Sequence, residues 1–497
     1  MNSESLSLHD PASSSRSGSP GRPQTASMPA AYLLPAVDAG RQRLARAWLA
    51  LALAALLGSG LFSVLLVLAR TPGVNAWLPA GDFFRVALVV HVDLSVLVWF
   101  VATAGLLWSL NLRALPVGGM RVAQASIALC GLGALGMALS AFVDPGEAVM
   151  ANYIPMLDST AFRAALWVFA AGALLLVLLA LTRAEKVGTA VDGTGALRFG
   201  LHASAVAAGV ALVAFAWSLA VVPLHLPPKA YYEILYWGGG HALQFTWTLL
   251  MLVSWLALAH ACGARVPLSA RVVLLLFAIA LVSVFVTPLA YLMHDVTTVE
   301  HRDLHTWAMR VGGGLAIAPM VLAVLLALLP HRRLGPTQRP LRAALLASML
   351  LFVAGGLIGV TIQGSNVKIP AHYHGCIVGV TLALMGVIYR LLPELGYGAP
   401  AGRLALAQPW IYGIGQLLHI IGLVWSGGYG VQRKVAGAEQ VLRSTAEVAG
   451  MGLMGLGGLL AIVGGLLFAV VVLRAMRTPR DGRGIEDAGC APRTEGA

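Results

Sequence analysis

Charge is what this 497-residue sequence lacks most: Asp, Glu, Lys and Arg make up 11% of it, against about 25% in soluble globular proteins. That scarcity excludes an ordinary cytosolic enzyme and a disordered chain. Cysteine is scarce too. Cys130, Cys262, Cys376 and Cys490 lie far apart and none forms CxxC or CxxCH, so no disulfide scaffold, zinc ribbon or covalent haem attachment is signalled. The first 40 residues are rich in Ser, Pro and Gly and hold no apolar run of the length a signal peptide needs. They read as a cytoplasmic tail without fixed structure.

What is present is hydrophobic, 58% of the chain. Apolar segments of about 20 residues, long enough to cross ~30 Å of hydrocarbon, follow one another. Twelve are found, at about 47–69, 86–108, 122–142, 162–181, 200–222, 234–259, 272–294, 307–329, 342–362, 372–392, 405–425 and 451–473. The expected fold is therefore all-α and polytopic, with a tail over 1–44, a membrane domain over 45–475 and a second tail over 476–497. The net charge of +12 is a topology signal rather than a mark of nucleic-acid binding. Arg41, Arg43, Arg46, Arg332, Arg333, Arg339, Arg342, Arg474 and Arg477 fall in the tails and on alternate loops, which places both termini in the cytoplasm of a bacterial-type inner membrane. Asp93 is the one carboxylate inside a span.

Histidine is costly within a bilayer unless it has a partner, so each one is a functional candidate. Alone, any of them reads as a helix-to-helix hydrogen bond. As a set they share a level. His91, His241, His372 and His374 lie near the outer ends of the second, sixth and tenth spans, His294 at the outer end of the seventh and His419 in the outer half of the eleventh. One buried haem or metal layer would require that. In Ala371-His372-Tyr373-His374 the two imidazoles are two residues apart, about 200° around a helix. They cannot share a metal, but they can serve two haems on opposite sides.

Twelve spans with this histidine order resemble subunit I of the haem–copper oxidase superfamily. IPAHYHGCIVGVTLALMGVIYRLLPELGY is similar to its tenth helix, TPLAYLMHDVTTVEHRDLHTW to its seventh-to-eighth turn, and QLLHIIGLVWSGGYGVQRK to its eleventh helix. The resemblance implies two haems and one non-haem metal, iron or copper. His91 and His374 would ligate a low-spin haem and His372 a high-spin haem. His241 and His294 would hold the non-haem metal, and Arg433 and Lys434 would pair with haem propionates. It also implies an electron-donating subunit, cytochrome c or quinol, and a gaseous substrate.

Three departures refine that expectation. Where the family usually has His-His, this chain has Met293-His294-Asp295. Asp295 is the preferred third ligand, a hard carboxylate that favours iron, with Met293, His301 and His305 as alternatives. Phe245 stands four residues after His241, where the commonest oxygen reductases carry a reactive tyrosine; Tyr291 is a substitute on the seventh span. No lysine occurs between Lys229 and Lys368, so protons are expected from outer acids such as Asp144, Glu147, Glu233, Glu300 and Asp303. Together these favour reduction of nitric oxide to nitrous oxide over reduction of oxygen to water. A non-catalytic haem protein and a histidine-gated transporter are the readings from other classes. Gly238-Gly239-Gly240 is expected to loosen the sixth span locally.

Overall fold

A computed structural model of the chain describes residues 30–35, 38–73, 81–188, 191–330, 333–363, 366–435 and 440–478. Most of both expected tails, with Arg332 and Cys490, lies outside them. The described residues hold twelve helices long and apolar enough to cross a membrane. They are α1 (Ala39–Arg70), α2 (Phe83–Leu110), α3 (Val117–Val143), α4 (Thr160–Thr182), α5 (Gly193–Val221) and α6 (Pro228–Ala261), then α7 (Ala270–Met293), α8 (Val299–Leu328), α9 (Gln338–Val360), α10 (Lys368–Leu391), α11 (Gly402–Gly428) and α12 (Thr445–Arg477). An antiparallel hairpin, β1 (Glu147–Val149) with β2 (Met156–Asp158), joins α3 to α4 and pairs Ala148 with Leu157. It marks one end of the bundle, called here the hairpin end.

Sequence neighbours pack pairwise: α3 on α4, α5 on α6, α9 on α10 and α11 on α12. Small residues let these backbones touch, as helices in lipid need when no hydrophobic force drives them together. A Cβ on Gly375 would come within 2.8 Å of the Gly355 backbone nitrogen, and one on Gly415 within 2.9 Å of the Gly457 carbonyl. Among the spans α2, α6 and α10 are the most buried, and these carry His91, His241, His372 and His374.

Three helices depart from a regular α-helix close to those histidines. α2 widens into a π turn over Asp93–Val98, where Ser95 Oγ takes the His91 carbonyl at 2.6 Å. α7 breaks at Phe285, between segments Ala270–Val284 and Val286–Met293. Pro288 explains it, since its ring crowds the carbonyl four residues back and it lacks an N–H. α8 has a π turn over Ala308–Gly313. α1 begins at Ala39, inside the expected tail, because Asp38 caps it by accepting from Arg41 N at 2.9 Å.

Candidate functional site

His241 stands where three aromatic rings lie against α6. The glycines before it do not loosen the helix, which runs unbroken over Pro228–Ala261. They make room. A Cβ on Gly238 would come 2.8 Å from Tyr291 Cε2, one on Gly239 2.7 Å from Phe215 Cγ, and one on Gly240 2.7 Å from Tyr153 Cβ. Tyr153, from the turn of the hairpin, places its hydroxyl 2.9 Å from His241 Nδ1 and 3.0 Å from Nε2. Its φ of +67° is left-handed, a conformation that costs a non-glycine residue about 1–3 kcal/mol. Burial and the charge of Glu233 both hold its hydroxyl above the usual tyrosine range.

Two further imidazoles face His241, and they are His301 and His305 on α8. The ring centroids of His305 and His241 are 5.6 Å apart, and those of His305 and His301 4.7 Å. All three rings are buried. The spacing of four residues puts His301 and His305 on one helix face, one turn apart. Tyr291 packs edge-on against His301, centroids 4.7 Å apart, while its hydroxyl bonds Ser218 Oγ at 2.6 Å.

The residues preferred at this position lie at the rim of the cluster, where His294 and Asp295 act electrostatically on His301. Asp295 is exposed, and its carboxylate accepts from Thr297 N at 2.9 Å and Thr297 Oγ1 at 2.6 Å. Those bonds hold it below the usual carboxylate range. Met293 is 66% exposed on the outer face of the bundle. His294 caps α7 with an extended backbone and is half-buried. The physical reason is helical register: α7 ends at Met293, so the next two residues leave the bundle while α8 turns back in from Val299.

The donor set fits a metal in its chemistry. His241 Nδ1 bonds Trp237 O at 2.7 Å, His305 Nδ1 bonds His301 O at 2.8 Å and His301 Nδ1 faces Ala290 O at 3.3 Å. A carbonyl only accepts, so each Nδ1 carries the proton and each Nε2 is left as the acceptor nitrogen, that of His241 lying 3.0 Å from the Tyr153 hydroxyl. His305 Nε2 is buried and has no hydrogen-bond partner among the described residues. Such an orphan costs about 1–3 kcal/mol, which a coordinated ion would relieve. Among the described residues no three His, Cys, Asp or Glu side chains already stand at metal-holding separation. The imidazoles are gathered without being closed around a point.

The same anchoring recurs at the other histidines. His372 Nδ1 bonds Gly355 O at 2.7 Å, and a Cβ on Gly359 would come 2.6 Å from that nitrogen. The α9 glycines therefore form a cradle for one edge of the ring and leave Nε2 on the other. His91 Nδ1 lies 3.1 Å from Ser59 O and 2.9 Å from Ser59 Oγ. Ser59 thus orients His91. Both Asp93 carboxylate oxygens are buried without a partner among the described residues. His374 lies across from His419, ring centroids 4.8 Å apart, and His419 Nδ1 bonds Met454 O at 3.0 Å. Imidazoles held in this way, as His91, His372 and His419 are by carbonyls, are suitable axial haem ligands.

The basic pair divides. Lys434, also left-handed at φ +64°, bonds the Met150 carbonyl and reaches Asn152 Oδ1 at 3.5 Å. It clamps the hairpin turn, and burial pushes its ammonium down to about 8. Arg433 acts electrostatically on Tyr373, and so does Arg70 at the end of α1. Arg70 was not singled out from the sequence, because a lone arginine ending a span reads as an interfacial anchor.

The family model for cytochrome c and quinol oxidase polypeptide I matches residues 43–477. An uncharacterized protein of Rickettsia prowazekii is 29% identical over 87% of this chain and 96% of its own length. One from Aquifex aeolicus is 27% identical over 72% of this chain and 86% of its own. A cytochrome c oxidase subunit 1 of Thermus thermophilus is 26% identical over 44% of this chain and 43% of its own. Among solved structures, a heme-copper terminal oxidase dimer shares the fold with a TM-score of 0.65 at 16% identity, covering 90% of this chain and 85% of that one.

Proposed function

The chain belongs to the cytochrome c and quinol oxidase polypeptide I family, a family of membrane oxidoreductases, and on that premise we propose that it is the catalytic subunit of a terminal reductase for a diatomic gas. His91 and His374 are assigned to a low-spin haem and His372 to a high-spin haem. The non-haem metal is assigned to His241, His301 and His305, in place of His241, His294 and Asp295. The observation that carries this is the set of three buried imidazoles, each with Nδ1 spent on a carbonyl, and the unpartnered Nε2 of His305 among them. When bound, the haems and the metal supply the electrons and the open coordination positions.

The chain's own residues do the rest. Three nitrogen donors without a thioether suit iron or copper, and the carbonyl bonds hold the rings before any ion arrives. An apolar cleft of about 380 Å³, lined by Leu178, Val206, Val210, Trp217 and Pro288 among others, ends at Tyr291 beside His301. It offers an uncharged gas a way in from the lipid. Arg433 and Arg70 are assigned to the haem carboxylates. Electrons come from a partner subunit, cytochrome c or quinol.

Nitric oxide is the favoured substrate. Its reduction takes two molecules, two electrons and two protons to nitrous oxide and water, and requires no phenol on α6, where Phe245 stands buried. Oxygen reduction is the second reading, favoured by the two tyrosines that flank His241. Gas consumption by the purified enzyme with a reduced donor tests this: nitrous oxide formation supports the first reading, and oxygen uptake without it supports the second.

A further inference from the structure

The hairpin turn brings a phenol to His241 from outside the helices. Tyr153 is 88 residues away in sequence, and its ring lies on α6 at Gly240, edge-on to Trp237 with centroids 6.0 Å apart. Because His241 Nδ1 already donates to Trp237 O, Nε2 is the acceptor and the Tyr153 O–H donates to it at 3.0 Å. That nitrogen is the one a metal would take.

The turn is held there from two sides. Glu233 on α6 accepts from Asn152 N at 2.8 Å and from Asn152 Nδ2. Lys434, from beyond α11, bonds Met150 O. Both left-handed non-glycine residues among the described residues, Tyr153 and Lys434, belong to this clamp. Strain that the surroundings maintain from two directions marks a side chain held for a purpose.

We propose that Tyr153 donates a hydrogen bond to the gas molecule held between the high-spin haem and the non-haem metal, its hydroxyl being freed for that role when His241 Nε2 is ligated. This rests on the gas-reductase reading above. It gives the site a hydroxyl from a loop where Phe245 denies it one from α6.

Carbon monoxide is the probe, read by infrared spectroscopy on the fully reduced holoenzyme. In the wild type the bound carbon monoxide stretch is expected to shift on transfer to D2O. In Tyr153→Phe the band is expected at higher frequency and insensitive to D2O, with haem and non-haem metal contents unchanged. An identical band and D2O response in Tyr153→Phe would overturn the assignment, and so would loss of the metal, which would make Tyr153 a structural support instead. Asn152→Ala keeps the phenol but loosens the clamp, and a broadened band is expected; an unaltered one counts against the clamp and the donor alike. A wild-type protein that binds no carbon monoxide overturns the gas-site reading, and this assignment with it.

Discussion

Gly240 and Tyr153 share one volume: the ring of Tyr153 rests where a Cβ on residue 240 would stand. That contact puts a hydroxyl from a surface hairpin beside the buried imidazole of His241. Gly240→Ala is therefore expected to displace the ring or bend α6, at about 1–3 kcal/mol in stability. Thermal unfolding in detergent checks this, and an unchanged melting temperature would mean that the turn yields freely.

His305 should matter more for metal content than the residues nearest the family's usual position. His305→Ala and His301→Ala are expected to reduce non-haem metal at least severalfold while leaving the low-spin haem spectrum intact. Asp295→Ala and Met293→Leu, both at exposed positions, are expected to leave it unchanged. Metal analysis of the four purified variants decides between the two ligand sets.

Gly359→Val should expel the high-spin haem selectively. Its side chain would strike the His372 ring, while His91 and His374 lie on other helices or beyond that contact. The carbon monoxide difference spectrum should fall by more than half with the low-spin bands retained. Loss of both haems together would mean that α9 and α10 had come apart.

Lys434 gives a pH signature. Its ammonium titrates at about 8 in the folded protein and at about 10.4 when unfolded. Between those values the unfolded chain holds one proton more, so this group's contribution to stability rises with pH across the window and is flat below it. Relative to Lys434→Met, the wild-type melting temperature should climb from pH 8 to 10.5. A constant difference would mean that the lysine is not desolvated.

Narrowing the apolar cleft should slow the gas without touching the metal. Val210→Trp is expected to raise the KM for the gas severalfold with spectra and metal content unaltered. An unchanged KM would place the entry route elsewhere.

The spans were readable because each carries enough apolar residues to cross a bilayer, and charge marked their ends. α1 starts earlier than hydropathy indicates because Arg46 Nε finds the Leu395 carbonyl at 2.7 Å, so its charge does not end the helix. The two imidazoles beside His241 were less readable than the spans. His301 and His305 are four apart and on one face, but α8 was expected from about 307, whereas Thr298 caps it from Val299 by accepting from His301 N at 3.3 Å. The cap turns two apparent loop histidines into helix neighbours. Tyr153 left no local signal beyond the three glycines, which read equally as a flexible stretch. Only the tertiary approach of the hairpin gives them a meaning.

The central claim is tested most directly by one spectroscopic titration of the purified protein with carbon monoxide, after reduction with dithionite, alongside quantification of haem and non-haem metal. Two haems per chain are expected, one low-spin and unmoved by carbon monoxide, the other high-spin and shifted by it, with one further metal ion lost in His241→Ala. A protein with a single haem indifferent to carbon monoxide, or with no metal beyond its haem iron, would contradict the account.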